Sequence, residues 1–86
     1  MNKLFTDGAW DDYIFWFNTD KKILEKINDL IKEIERMPFT GKGKPEPLKY
    51  SLSGYWSRRI NHEHRIVYQV DNGQLVFISF RYHYKK

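Results

Sequence analysis

The strongest constraint on the fold is a change in apolar spacing near the middle of the chain. Before Pro38, apolar residues recur every three or four positions, which is typical of one face of an amphipathic helix. After Pro47, short apolar segments are separated by Ser53-Gly54 and Asp71-Asn72-Gly73, which predict turns between strands. The chain therefore places its helices first and most of its strands second. The helical stripe consists of Ile23, Ile27, Leu30, Ile31 and Ile34.

The predicted element order is β-α-α-β-β-β-β. Lys3 to Thr6 forms a first strand, and a helix beginning near Asp7 and Gly8 turns apolar residues toward the core. Those core-facing residues are Trp10, Tyr13, Ile14 and Phe17. Thr19 or Asp20 caps the second helix, which Pro38 ends. The later strands are predicted over Leu48 to Leu52, Tyr55 to Ile60, Arg65 to Val70 and Gln74 to Tyr82.

This order predicts an α+β fold in which two N-terminal helices cover one face of an antiparallel-dominated sheet. The opposite face is left for ligands. The segment from Phe39 to Pro47 contains two glycines and two further prolines, so we expect an exposed loop there. Loops of this kind often carry functional residues.

Length and composition limit the classes of protein to consider. A chain of 86 residues predicts one domain, residues 1–86, with a modest core that dimer formation would help to bury. The absence of cysteine excludes disulfides and thiolate chemistry and is consistent with the cytoplasm. No apolar run is long enough to cross a bilayer, so we expect no membrane association.

Charge is unevenly distributed along the chain. Residues 1–37 carry six Lys and Arg against eight Asp and Glu, whereas residues 38–86 carry nine against three. Their net charges are therefore −2 and +6. A concentrated basic surface attracts polyphosphates. The second half is the expected anion-binding half, although a solvated surface is an equally simple interpretation of charge alone.

The second half also contains the groups that a metal-free ribonuclease needs. Glu46 is the only acidic residue between Arg36 and Glu63, and it is the candidate general base for a ribose 2′-hydroxyl. His83 is the candidate general acid because imidazole titrates nearest neutral pH. Arg65, supported by Lys49 or Arg59, can stabilise the negative charge of the transition state.

Further cations and aromatic rings could hold the RNA. Lys44 and Arg81 are expected phosphate contacts, and Tyr84 is the best candidate for stacking on an unpaired base. Tyr55, Trp56 and Tyr82 are weaker stacking candidates, and we favour a packing role for Trp56.

Other motifs are weaker. His62 and His64 have a spacing that could chelate a metal, but no third ligand stands at a recognisable distance, so we predict no metal site. The Gly41 to Lys44 segment lacks the spacing and the hydroxyl residue of a nucleotide-binding P-loop. We expect no cofactor.

Taken together, a set of short motifs spread over nearly the whole chain resembles the YoeB-type toxins, which are RelE-like ribonucleases of bacterial toxin-antitoxin systems. The motifs are Trp10-Asp11-Asp12-Tyr13, Pro38-Phe39, Gly41 to Leu48, Leu52-Ser53-Gly54, Trp56 to Ile60, Glu63-His64-Arg65, Val67-Tyr68 and Arg81-Tyr82-His83-Tyr84.

The resemblance implies a RelE-like fold and an endoribonuclease that enters the ribosomal A site and cuts messenger RNA without a metal. It also implies a YefM-like antitoxin, a homodimer, and operator DNA binding only as the toxin-antitoxin complex. By motif position, Glu46 matches the general base, His83 the general acid, Arg65 the phosphate-stabilising arginine and Tyr84 the substrate-contacting tyrosine. Lys49 and Arg59 match supporting cations.

Two other functions are compatible with the same residues. The domain could bind RNA or the ribosome and block translation without cutting, or it could act with its antitoxin as a co-repressor.

Overall fold

The computed structural model describes residues 1–82, and its element order is the predicted one. The elements are β1 Asn2–Phe5, α1 Asp7–Thr19, α2 Lys21–Arg36, β2 Glu46–Pro47, a 3₁₀ turn Tyr50–Leu52, β3 Trp56–Arg59, β4 Arg65–Asp71 and β5 Gln74–Ser79. Within the described residues, no helix is long and apolar enough to cross a membrane.

Within residues 1–82, five strands form one mixed sheet in the order β1-β5-β4-β3-β2. β1 pairs with β5 in parallel, and every other neighbouring pair is antiparallel. The two helices connect β1 to the rest of the sheet and pack on one of its faces. These features confirm the predicted α+β architecture.

Side-chain caps fix where the helices begin. The Thr6 hydroxyl accepts a hydrogen bond from the Ala9 N–H at 3.1 Å, at the start of α1. The Asp20 carboxylate accepts from the N–H groups of Lys22 and Ile23, so Asp20 is the cap of α2. These caps satisfy N–H groups that have no partner inside the helix. α2 ends at Arg36, shortly before Pro38, as predicted.

The core lies between α2 and the centre of the sheet. The predicted stripe of α2 is confirmed, except that Ile23 is only partly buried and Leu24 is buried with the other stripe residues. From the sheet and the chain that follows it, the core receives Ile60, Ile66, Tyr68, Leu75, Phe77 and Phe80.

The prediction of which face of α1 packs on the core is wrong: the buried face is rotated about the helix axis from the predicted one. Trp10 is 53% exposed and Phe17 is 50% exposed, whereas Ala9 and Trp16 are buried. Tyr13 is partly buried and packs against the core. Ala9, Tyr13 and Trp16 follow one another at offsets of four and three, as the exposed residues do, so spacing alone could not select the buried face.

Two strand boundaries also differ from the predictions. The segment predicted as a strand over Leu48 to Leu52 is instead a 3₁₀ turn preceded by the short β2. Tyr50 has a φ of 59°, which no strand residue adopts. The last strand ends at Ser79 rather than at Tyr82. Residues 80–82 are held by side chains of α1 and of the β3–β4 connection, described below.

Candidate active site

Glu46 lies on an edge strand rather than in the predicted loop. It opens β2, stands opposite Ser57 of β3, and is exposed. The loop that follows α2 therefore ends where β2 begins to pair with β3. Pairing with β3 therefore fixes the backbone of the candidate base on one side, which positions a reacting group better than an unpaired loop does.

The sheet brings Glu46 onto the same face as two arginines. Ser57 stands opposite both Glu46 and Val67, and Arg59 stands opposite Arg65. Directly opposed residues point to the same face of a sheet, and so do residues two apart on one strand. The alternate residue Tyr68 belongs to the core with α2. The face that carries Glu46, Arg59 and Arg65 is therefore the one turned away from the helices.

Strand geometry gives the separation of these groups. Glu46 and Arg65 are two strand spacings apart across the sheet, about 10 Å, and one pleat repeat apart along it, about 7 Å, so their Cα atoms are about 12 Å apart. Two long side chains can converge on one phosphodiester over such a distance. We call the face carrying Glu46, Arg59 and Arg65 the acid-cation face.

Arg59 and Arg65, two cationic residues, hold directly opposed positions on β3 and β4. Arg59 is exposed, and Arg65 donates from Nη1 to the backbone oxygens of Asn61 at 2.9 Å and His64 at 3.2 Å. Like charges at opposed positions destabilise a sheet, and a bound anion relieves that repulsion. The pair is therefore suited to a phosphate group.

A buried arginine holds the loop that leads to Glu46. Arg58 is fully buried, and its guanidinium donates to the backbone oxygens of Met37, Thr40 and Lys42. Its Nε donates to the Tyr68 hydroxyl at 3.2 Å. These bonds distribute the buried positive charge over several oxygen dipoles.

The Tyr68 hydroxyl completes this arrangement by donating to the Pro38 oxygen. Burial raises the pKa of Tyr68, while the hydrogen bond and the charge of Arg58 oppose the shift. The hydroxyl therefore stays protonated, and able to donate, throughout the neutral pH range.

Gly43 brings this loop against β3. Its carbonyl accepts from the Arg59 N–H at 2.7 Å, and its φ is 84°. A Cβ at Gly43 would lie 3.0 Å from the Arg59 oxygen. Lys44 follows with a φ of 52° and is exposed. Only glycine combines this close approach with such a φ at low cost.

A cleft of about 820 Å³ lies between α2, this loop and the β3–β4 connection. Leu30 and Ile60 provide apolar lining, and Lys44 and Arg59 belong to both the cleft and the predicted phosphate contacts. Among the described residues, the lining has a net positive charge. Its cations are Lys26, Lys32, Lys42, Lys44 and Arg59, and its carboxylates are Asp29 and Glu33.

The cleft includes cations that the sequence analysis missed. Lys26 and Lys32 come from the acidic half of the chain, and neither was predicted to bind phosphate. The available signal was helical spacing: positions 26, 29, 30 and 33 recur at offsets of three and four on α2, and all four line the cleft. The net negative charge of residues 1–37 concealed the lysines on this face of α2.

The remaining predicted residues are placed as follows. Lys49 is exposed and directly precedes the 3₁₀ turn. Arg81 lies against α1, with its guanidinium carbon 3.7 Å from the centre of the Phe15 ring, and donates to the Tyr82 hydroxyl at 2.9 Å. Because β5 ends at Ser79, Arg81 is not part of the predicted last strand, and the structure places its side chain against α1. His83 and Tyr84 lie outside the described residues.

The other aromatic and histidine predictions have mixed outcomes. Trp56 packs against the core and against Phe39, with ring centres 4.7 Å apart, which confirms a packing role. Tyr82 is exposed. His64 is buried and accepts a backbone hydrogen bond from Tyr82. Among residues 1–82, no group of three or more metal-ligating side chains is close enough to hold an ion.

Comparison with known proteins identifies the family. A family model described as YoeB-like toxin of bacterial type II toxin-antitoxin system matches residues 5–84. Toxin YoeB of Escherichia coli strain K12 is 56% identical over 84 residues, covering 98% of this chain and 100% of the relative.

Two solved structures from Staphylococcus aureus have the same fold. A YoeB dimer has a TM-score of 0.90 with 49% identity and 98% coverage of both chains. The YoeB of a heterotetrameric YoeB-YefM toxin-antitoxin complex has a TM-score of 0.89 with the same identity and coverage. The chain therefore belongs to the family of YoeB-like toxins of bacterial type II toxin-antitoxin systems.

Proposed function

We propose that this toxin is an endoribonuclease that cleaves messenger RNA in the ribosomal A site and thereby stops translation. The observation that carries the proposal is the acid-cation face, where one carboxylate and two opposed arginines point from neighbouring strands to the same side. Cleavage of an RNA phosphodiester by its own 2′-hydroxyl needs a base and cations that stabilise the transition state. Membership of the toxin family supports the same reaction class.

In the proposed reaction, Glu46 removes the proton of a ribose 2′-hydroxyl. The 2′-oxygen then attacks the adjacent phosphorus, and the bond from phosphorus to the 5′-oxygen of the next nucleotide breaks. His83 donates a proton to that leaving oxygen. The products are a 2′,3′-cyclic phosphate, which water can open to a 3′-phosphate, and a free 5′-hydroxyl. No metal is needed for this proton balance.

Arg65 and Arg59 stabilise the negative charge that develops on the phosphate oxygens. The transition state carries more negative charge on these oxygens than the singly charged phosphodiester of the substrate, so the two cations stabilise the transition state more than the bound substrate. Tyr84 stacks on a substrate base, while Lys44, Lys49 and Arg81 contribute positive charge around the RNA. The basic lining of the cleft extends this surface beside Arg59.

The ribosome supplies the substrate and its orientation in this proposal. The toxin acts in the cytoplasm, where ribosomes translate, and a YefM-like antitoxin silences it; a YoeB-YefM complex of a relative supports this partner. Operator DNA is bound only by the toxin-antitoxin complex.

A homodimer is the proposed state of the free toxin, supported by the YoeB dimer of a relative. The surface proposed to meet the second copy is the apolar stripe of α1, formed by Trp10, Ile14 and Phe17, which are 53%, 36% and 50% exposed. Three large apolar side chains on one helical face are unusual on a surface that stays in water.

The test is to map RNA ends on ribosomes programmed with a defined message, with and without toxin. Wild-type toxin should cut within the A-site codon, and only when ribosomes are present. Glu46→Gln and His83→Gln should abolish these ends, whereas Glu25→Gln, a similarly exposed carboxylate on α2, should leave them unchanged.

The alternatives give different results in the same experiment. Translation arrest by both variants without any new RNA ends would show that the toxin blocks the ribosome without cutting. Absence of cleavage by wild-type toxin, together with operator repression by the toxin-antitoxin complex, would support the co-repressor function.

A further inference from the structure

Arg58 and Tyr68 form a buried polar pair on the helix side of the sheet. Arg58 of β3 stands opposite Ile66, and Tyr68 of β4 stands opposite Trp56. Both members of the pair are fully buried, and the Arg58 Nε donates to the Tyr68 hydroxyl at 3.2 Å. Ile66 and Tyr68 belong to the core with α2, so the pair lies on the opposite side of the sheet from the acid-cation face.

The pair binds the backbone of the loop that runs from α2 to Glu46. The guanidinium donates to three carbonyl oxygens of this loop, and the Tyr68 hydroxyl donates to a fourth. These oxygens belong to Met37, Pro38, Thr40 and Lys42. Residues 37–42 are therefore tied to neighbouring points on β3 and β4, which leaves their backbone few alternative conformations.

The loop passes closest to the guanidinium at Gly41. A Cβ at this position would lie 3.4 Å from Nη1 of Arg58 and 2.8 Å from Oε2 of Glu33 on α2. The φ of Gly41 is 106°, which favours glycine. The loop therefore fits between α2 and β3 without room for a side chain, and the Glu33 carboxylate adds a negative charge on the far side of Gly41.

The segment held by the pair leads directly to Glu46. The Gly43 oxygen accepts from the Arg59 N–H at 2.7 Å, and Gly43 is three positions before Glu46. Glu46 then pairs with Ser57, the neighbour of Arg58 on β3. Because β2 has only two residues, its own pairing does little to fix its register. The direction in which the loop enters β2 therefore contributes to the position of Glu46.

We propose that Arg58 and Tyr68 are positioning residues that set where the Glu46 carboxylate stands relative to Arg59 and Arg65. The inference rests on the proposed function, because it concerns the general base of that reaction. Neither member of the pair contacts RNA, since both are buried on the other face of the sheet. Loss of their support should slow the chemical step and leave binding intact, because misplacement of a reacting group by about 1 Å costs about 100-fold in rate.

Tyr68→Phe and Tyr13→Phe form a matched pair of variants. Tyr68→Phe removes the hydroxyl that contacts Arg58 and Pro38 and keeps the ring in the core. Tyr13→Phe removes a hydroxyl that donates to Asn28 at 2.8 Å, between α1 and α2. We expect Tyr68→Phe to lower single-turnover cleavage on programmed ribosomes at least about tenfold, with the Kd for the ribosome changed less than about threefold. Tyr13→Phe should cleave within about threefold of the wild-type rate.

A double variant tests whether the pair acts through Glu46. Glu46→Gln has no base left to misplace, so adding Tyr68→Phe should lower its residual cleavage less than about threefold. A merely structural role would lower cleavage by the same factor with and without Glu46. Arg58→Lys keeps the charge but loses the planar fork, and it should follow the same pattern as Tyr68→Phe.

A further measurement does not depend on activity. In the wild-type protein, hydrogen exchange should show the Arg59 amide protected, because it donates to the Gly43 oxygen. In Tyr68→Phe this protection should fall at least about tenfold while the amides between β4 and β5 stay protected. The retained protection of β4 and β5 also shows that the variant is folded. Tyr13→Phe should leave the Arg59 amide as protected as in the wild type.

The outcomes distinguish this inference from the proposed function. Wild-type toxin that cuts no RNA overturns the proposed function, and the positioning role falls with it. An active wild type combined with full cleavage by Tyr68→Phe overturns the inference alone. Equal factors of loss with and without Glu46, or an Arg59 amide equally protected in Tyr68→Phe and the wild type, also overturn it.

Discussion

At the scale of single residues, two cations hold opposed positions on neighbouring strands, an arrangement that like-charge repulsion disfavours and that a bound anion favours. Arg59 and Arg65 are directly opposed on β3 and β4. Neither packs the main apolar core. A phosphate bound between these two arginines would lower the free energy of the pair, since charge-assisted hydrogen bonds to phosphate are among the strongest that side chains make.

We predict that Arg59→Gln makes the free protein more stable and less active. Removing one of two opposed cations should raise the free energy of unfolding by about 0.2–1 kcal/mol. The rate of RNA cleavage should fall by at least about tenfold, with a weaker dependence of binding on salt. Urea unfolding and single-turnover cleavage measure the two effects. Loss of stability with full activity would contradict this view of the pair.

At the scale of elements, the loop between α2 and β2 is organised by backbone contacts rather than by its own side chains. Arg58 binds three of its backbone oxygens, and Gly43 contacts β3 directly. The loop delivers Glu46 into a pairing with Ser57. Its geometry therefore depends on space around Gly43 as much as on hydrogen bonds.

Gly43→Ala and Gly54→Ala form a matched pair that tests this close approach. Both glycines have positive φ, 84° and 97°, but a Cβ at Gly54 meets nothing within 4 Å. Both variants pay the backbone cost, and Gly43→Ala should lose about 1–3 kcal/mol more because of the contact with Arg59. Urea unfolding of both variants gives the difference directly. Equal losses of unfolding free energy in the two variants would mean that the loop moves away from Arg59 without destabilising the protein.

The same elements show how far the sequence could predict the structure. The α2 stripe and its cap were predictable because helical spacing and Asp20 agree with each other. The buried face of α1 could not be predicted, since two faces of that helix carry apolar residues at the same offsets. Glu46 and Arg65 were found from their charges. Their shared face depends on β2 pairing, which involves only two residues and leaves almost no pattern in the sequence.

The bond from Tyr82 to His64, and the meeting of the two sides of the cleft, were beyond prediction for a related reason. The bond from Tyr82 to His64 joins residues 18 positions apart and depends on where β5 ends. The end of β5 is set by α1 side chains bonded to Phe80. The cleft joins a helix of the acidic half to a loop of the basic half. Contacts between distant segments of this kind are a property of the folded chain.

At the scale of the whole molecule, the helices and the acid-cation face lie on opposite sides of the sheet. The exposed stripe of α1 belongs to the helical side, so a second copy could cover it without covering Glu46. In the proposed dimer, the acid-cation face would therefore stay uncovered and accessible to the proposed ribosomal substrate.

We predict that Phe17→Ser weakens self-association without changing the fold. Loss of a large ring from an apolar contact should raise the dimer Kd by at least about tenfold. Met37→Ser is the control, because Met37 is 42% exposed but lies outside α1. Sedimentation velocity over a range of concentrations measures both variants. Unchanged association of Phe17→Ser would place the dimer contact elsewhere.

Whether Glu46 takes the proton of the attacking hydroxyl can be decided with one variant in which binding and cleavage are measured separately. Glu46→Gln keeps the size of the side chain and removes its basic oxygen. On programmed ribosomes at saturating toxin, we expect single-turnover cleavage by this variant to fall about 100-fold to 10,000-fold, while the Kd for the ribosome changes less than about threefold. Equal losses of binding and cleavage, or an unchanged cleavage rate, would show that Glu46 is not the base.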